Sequence, residues 1–181
     1  RGVVGMGSEG YPSHLKYAAA RAEEIDLLVI NALESDHYMQ ADLQLIRSYP
    51  ETVLEGAEVL ERIVAPRRLV FAFESRNREG ARILRRAIAQ RDLSWKVKVL
   101  PHLYPRGDEK ILLQRLTGRE VPSGGTSLDV GAVVANASTA HEAYEAIVLR
   151  KPVIERVVTV AGGAIRNPAS LKVRLGMQVQ E

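Results

Sequence analysis

Gly5, Gly7 and Gly10 stand at the G-x-G-x-x-G spacing inside the stretch GVVGMGSEGYP, Gly2 to Pro12. Glycines so placed suit one chemistry: with no Cβ in the way, main-chain N–H groups can close on a phosphate or pyrophosphate. A dinucleotide fingerprint of the usual sort also needs a strand directly before the loop, a helix opening within it, and an acid about 20 residues on for the ribose. Here only Arg1 to Val4 precede Gly5, Pro12 delays any helix past the third glycine, and the next apolar run ends in Asn31 rather than Asp or Glu. The glycine pattern by itself therefore meets those conditions poorly. Other chemistries are narrowed by composition. The chain has no cysteine, which removes disulfides, thiolate nucleophiles and cysteine-ligated clusters. His14, His37, His102 and His141 are scattered without metal-ligand spacing, so no metal site is expected.

These residues need a frame to hold them. In 181 residues, 46% are hydrophobic but only 5% aromatic, so the apolar content is mostly Ala, Val, Leu and Ile, the mixture of sheets covered by helices. Short apolar or β-branched runs at Leu27 to Asn31, Arg68 to Phe73, Trp95 to Leu100 and Val130 to Asn136 read as strands. Between them SHLKYAAARAEE, PETVLEGAEVLERIVA, RNREGARILRRAIAQR, EKILLQRLTG and STAHEAYEAIVL read as helices, with Pro50 in a first turn, Gly118 as a stop and Ser138 as a cap. The alternation predicts an α/β fold, a Rossmann-like three-layer domain with a mainly parallel sheet, over residues 1–150. After Lys151-Pro152 two β-rich runs flank a Gly162-Gly163 and Asn167-Pro168 turn region with no helix between them, so residues 151–181 are expected to begin a second, β-type unit.

The net charge of +3 is unevenly spread. Arg78, Arg82 and Arg85 form one basic stripe opposite Leu84, Ala87 and Ile88. With no aromatic residues interleaved, the stripe reads as a solvated helix face, and nucleic acid is not an expected partner; docking on an acidic subunit is the other reading. No apolar run approaches the ~20 residues of a membrane span and no signal-peptide layout is present, so a cytoplasmic location, peripheral to a membrane complex, is expected. The chain opens at Arg1, a few residues before a glycine-rich loop, as an excised piece of a longer protein would.

Four stretches carry a resemblance. GMGSEGYPSHLKY resembles the flavin loop G-x-G-G-A-G-F/Y-P-T-x-x-K of the Rnf-complex C subunit, the flavin-bearing subunit of respiratory complex I and their relatives. VINALESDHYMQAD is similar to the family's I-N-G-A-E-C-E-P-Y-L-T-A-D, YPRGDEKILLQRLTGREVPSGG to Y-P-Q-G-G-E-K with T-G-R-E-V-P-S-G-G, and VVANASTAHEA to V-x-N-V-x-T. The long T-G-R-E-V-P-S-G-G string points to the Rnf C branch, and VVTVAGGAIRNP resembles the start of the ligand-binding β-grasp module that follows the flavin domain there.

The resemblance implies an FMN site that accepts hydride from NADH and passes single electrons to iron–sulfur clusters on other subunits or domains, the work of an NADH-dependent flavin oxidoreductase. It places Gly5, Gly7, Ser8 and Gly10 against the flavin and Lys16 near the cofactor's charge. Asn31, Glu34 and Asp36 fall at a strand end, Tyr104, Gly107, Asp108 and Glu109 in a closing loop, and Asn136 and Thr139 where a strand runs into a helix N-terminus suited to phosphate. Three departures from the family pattern bear on activity. Ser8-Glu9 replaces Gly-Ala, Asp36-His37 replaces Glu-Pro, and Asp108 replaces a glycine, so two of the three add negative charge where the cofactor carries its own. They leave a second reading open, a non-catalytic scaffold that keeps the fold without the flavin.

Overall fold

The computed structural model describes residues 1–7, 10–34, 38–102, 104–105 and 107–179. Its main sheet is built from β1 (Leu27–Asn31), β2 (Arg68–Glu74), β3 (Lys96–Leu100) and β4 (Ala132–Asn136), in the order β3-β2-β1-β4 and parallel throughout. Strand alternation sends successive side chains to opposite faces, and both faces are covered. Leu28, Ile30, Phe71, Phe73, Val133 and Ala135 belong to the larger core. There they meet side chains of α1 (Ser13–Ala20), α2 (Ala41–Ser48), α3 (Pro50–Val64), α4 (Arg78–Gln90) and α6 (Ala137–Ile147). Leu27, Val29, Val70, Ala72, Ala132 and Val134 face the other way, onto Leu112 and Leu113 of α5 (Glu109–Thr117). The result is the three-layer α/β arrangement expected from the alternation of elements.

Two helices on the larger face approach unusually closely. At Gly56 in α3, an added Cβ would lie 1.7 Å from the backbone oxygen of Ala140 in α6. Only a glycine permits that contact, which seats the helix directly behind β4. After α6 the chain forms β5 (Glu155–Val160) and β6 (Ala169–Arg174), an antiparallel two-stranded sheet. Val157 of β5 packs against the larger core, and Thr159 Oγ1 accepts from the Gln40 N–H at 3.3 Å. The division at residue 150 expected from sequence thus falls between elements that touch.

Several local features differ from the sequence-based expectations. Helix α2 has no counterpart among the expected elements. Ser127–Val130 forms a 3-10 turn, so β4 begins at Ala132. Trp95 precedes β3, buried, with its indole N–H donating to Glu61 Oε1 at 2.9 Å. The N-cap of α6 is Asn136 rather than Ser138. The arginine stripe of α4 is solvated as expected, with Leu84, Ala87 and Ile88 buried on the opposite side. Among the described residues, no helix is long and apolar enough to cross a membrane.

Candidate functional site

Asn31 and Asn136 stand opposite one another at the carboxyl ends of β1 and β4. Here the chain, having laid β2 and β3 on one side of β1, returns to the other side. Open α/β sheets hold ligands at such a switch point. A cavity of about 370 Å³ opens there, lined by Gly5, Gly7, Gly10, Lys16, Asn31, Tyr104, Gly107, Asp108, Glu109, Asn136 and Thr139. Those are expected site residues, brought together from four segments far apart in sequence. Tyr11, Ser13, Tyr17, Pro105, Val134 and Ala135 complete the lining and are not among the expected residues. The first three lie within the glycine-loop motif, which is a signal that could have found them; Val134 and Ala135 read only as buried strand.

Among the described residues, one expected residue, Glu34, is not in the lining of this cavity. Glu34 turns away, and its Oε1 accepts the Asp42 and Leu43 N–H groups at 3.1 and 3.2 Å, capping the first turn of α2. Ser8 and Asp36, with their neighbours Glu9 and His37, lie outside the described residues.

The glycine loop is closed by hydrogen bonds from Gly5 N–H to Tyr11 O (2.8 Å) and from Ser13 N–H to Val3 O (3.2 Å). Met6 N–H donates to Thr139 Oγ1 at 3.0 Å and ties the loop to α6. Its glycines serve different ends. Gly10 has φ +58°, which disfavours a side chain, and a Cβ at Gly7 would crowd Asn136 Oδ1 at 3.0 Å, whereas Gly5 has ordinary room.

On the opposite wall Lys16 Nζ donates to Glu109 Oε2 at 3.1 Å. Asn31 is buried and held at both ends: Nδ2 donates to Gly107 O (3.1 Å) and Oδ1 accepts from Leu33 N–H (2.9 Å). Burial, and then the charge of Glu109, pushes the Tyr17 phenol well above its ordinary range, so it stays protonated. Asp108 carries the negative charge expected in the closing loop, but Oδ1 accepts from Lys110 and Ile111 N–H at 3.0 and 3.2 Å. Its carboxylate is an N-cap of α5, and the helix dipole offsets the charge.

At α6 the Asn136 side chain makes no capping bond. Ser138 N–H donates instead to Asp42 Oδ1 at 2.9 Å.

Gly7 and Asn136 also border a second cavity, of about 600 Å³, whose lining includes Glu34, Asp42, Glu142, Arg156 and Lys172. Burial lifts Glu34 to about 7, with the Asp42 charge adding to the rise, and lifts Asp42 itself. Glu142 is raised to about 7 by burial and then by Glu145. The ordinary value for both glutamates is 4.5. Between that value and about 7 the folded chain keeps protons that the unfolded chain has released, so stability falls as pH rises through this window and the loss is complete above it. Melting temperature measured from pH 5 to 8 is expected to decline. Glu142→Gln should flatten the decline and add about 1 to 2 kcal/mol at pH 8. A variant with the same slope as the parent would show that Glu142 is not one of the titrating groups.

Fold and cavity together define a Rossmann-like α/β unit with a cavity at its switch point, and comparison with known proteins places it. Residues 1–145 match the Nuo51 FMN-binding domain, and the chain belongs to that family. It is 37% identical over 180 residues to the C subunit of the ion-translocating oxidoreductase complex of Pseudomonas aeruginosa, covering 99% of this chain and 23% of that protein. It is 36% identical over 175 residues to the C subunit of the proton-translocating ferredoxin:NAD(+) oxidoreductase complex of Clostridium ljungdahlii, covering 97% of this chain and 38% of that protein. The chain thus spans about a quarter to two-fifths of these relatives' length. Among solved structures, a crystal structure of an NAD+-reducing NiFe hydrogenase in the H2-reduced state superposes with a TM-score of 0.83 at 19% identity, over 97% of this chain and 36% of that one, and shares the fold. The resemblance drawn from the sequence motifs is borne out at the level of family and fold.

Proposed function

We propose that this chain is the flavin-binding unit of an NADH-oxidising electron-transfer complex, with FMN seated in the smaller cavity. The observation that carries the proposal is the convergence of the four motif segments on that one cavity. The residues present suit the cofactor. The volume lies in the small-molecule range. Gly7 N–H has no hydrogen-bond partner among the described residues, so a donor is available to a phosphate, beside an α6 N-terminus whose Ser138 N–H is already taken by Asp42.

The roles follow from the geometry. Lys16 supplies positive charge, and Thr139 holds the glycine loop against α6 through Met6 N–H. Asn31, locked by Leu33 N–H and Gly107 O, links the end of β1 to the loop before α5 and fixes the cavity's floor. The neutral phenol of Tyr17 gives a buried wall without charge. FMN, when bound, supplies acceptance of a hydride and release of electrons one at a time. NADH is the proposed donor, and iron–sulfur clusters on other subunits or domains are the proposed acceptors, because this chain has no cysteine to hold a cluster.

Titration of the purified chain into FMN and into riboflavin tests the reading. Quenching of flavin fluorescence is expected, with FMN at least tenfold tighter than riboflavin because the phosphate is recognised, and NADH should then bleach the bound flavin. A chain that quenches neither would leave the scaffold reading in its place.

A further inference from the structure

Arg156 lies on β5, in the C-terminal antiparallel sheet, yet its Nη2 donates to the carbonyl oxygens of Met6 (2.5 Å) and Gly7 (3.4 Å). Its guanidinium reaches the glycine loop from the larger cavity, which it helps to line, while Gly7 belongs to the wall shared by both cavities. The consequence follows from peptide geometry. The peptide joining Met6 to Gly7 is planar and trans, so the Gly7 N–H points opposite to the Met6 carbonyl. A cation that holds the Met6 carbonyl on the side of the larger cavity therefore turns the Gly7 N–H away from it. That N–H has no partner among the described residues, so it is available on the smaller-cavity side.

We infer that Arg156 is a positioning residue for the flavin site: from outside the cavity it orients the glycine loop so that Gly7 N–H faces the ligand, and it makes the C-terminal sheet part of that site. The inference rests on the FMN reading above. It also implies reciprocity. If β5 holds the loop in its binding shape, ligand in the smaller cavity must in turn stabilise the seating of β5.

The test uses the full chain as wild type, Arg156→Ala and Arg156→Lys, with FMN titration and amide hydrogen exchange read together. Without flavin, Arg156→Ala should speed exchange at Met6, whose N–H is held by Thr139 Oγ1, while the central β1 amides, Leu27 to Asn31, exchange as in the wild type. FMN affinity should fall at least tenfold in Arg156→Ala. Arg156→Lys should lie between, since an ammonium keeps the charge but lacks the reach and fixed planar donor geometry of the guanidinium. FMN added to the wild type should slow exchange of the β5 amides, Glu155 to Val160.

A folded Arg156→Ala or Arg156→Lys with wild-type FMN affinity overturns the positioning role and leaves the flavin reading standing. If Arg156→Ala loses protection in β1, it has unfolded, and the lysine variant with the wild-type β5 exchange decides. Flavin that binds the wild type without slowing β5 exchange overturns the coupling. A wild type that does not bind FMN overturns the flavin reading and the role of Arg156 in it together.

Discussion

Gly56→Ala is expected to destabilise the chain by about 2 to 4 kcal/mol and to lower its melting temperature by roughly 5 to 15 °C. Elsewhere in a helix the change would help by about 1 kcal/mol, because alanine restricts the unfolded chain more than glycine does. At this position the new methyl would stand 1.7 Å from the Ala140 carbonyl oxygen and 2.4 Å from its carbon, both backbone atoms that no rotamer change can move. Helix α6 must shift, and with it Asn136 at the helix start and Thr139 in its first turn. The substitution therefore links a packing contact to ligand affinity: FMN binding should weaken along with the fold, although residue 56 does not line the smaller cavity. Calorimetry and FMN titration of the same variant check both. A protein as stable as the parent would mean that α3 and α6 do not approach as closely as the structure has them.

Lys16→Ala should weaken FMN binding by about a hundredfold, roughly 3 kcal/mol. One part is the lost charge-assisted contact to the cofactor, about 1 to 2 kcal/mol. The other arises because Lys16 and Glu109 form an ion pair at 3.1 Å with both side chains lining the cavity. Removing the ammonium leaves the Glu109 carboxylate facing an anionic ligand, a repulsion of about 1 to 2 kcal/mol at an effective dielectric near 20. The pair is partly exposed, at 28% and 38%, so its own contribution to fold stability is small. A double-mutant cycle separates the two parts. Adding Glu109→Gln to Lys16→Ala should restore affinity to within about tenfold of the parent, and raising the salt concentration should shrink the penalty of the single variant. If the single and double variants bind alike, Glu109 does not face the ligand and only the direct contact matters.

How far the sequence discloses these features depends on the range of the forces involved. Strand alternation and helical periodicity act over a few residues, so β1, β2, α3, α4 and α5 fall close to their expected bounds. The C-terminal pair of strands is legible as two β-rich runs, because Gly162-Gly163 and Asn167-Pro168 are local turn signals between them. Helix α2 escapes a sequence reading for the opposite reason. Its N-cap position is Gln40 rather than Ser, Thr, Asp or Asn, and its first N–H groups are satisfied by Glu34 from the preceding loop. Likewise α6 takes its capping carboxylate from Asp42, ninety-six residues earlier, so nothing near Ser138 shows that it is not the cap. Asp108 reads as unwanted charge because the motif has glycine there, although it directly precedes the helix expected from Glu109; its carboxylate caps α5. In the site, the family motifs name most of the lining, and the fold supplies what motifs cannot. It displaces Glu34 to a helix cap and brings in Arg156 from a strand with no sequence mark of its link to the loop.

Strand β3 closes one side of the main sheet, and what lies along it governs how copies of this chain behave when crowded. An exposed strand of a parallel sheet offers free backbone groups to any other extended segment, including a copy of itself. Here Lys96 and Lys98 project into solvent on alternate residues, between half-buried Val97 and Val99, and Arg85 of α4 donates from Nη2 to the Val97 carbonyl at 3.1 Å. A second chain approaching this margin would have to bring its own lysines against these two and displace a guanidinium from the acceptor it needs. Like-charge repulsion and a blocked acceptor thus oppose edge-to-edge aggregation at this margin, where strand pairing could otherwise continue.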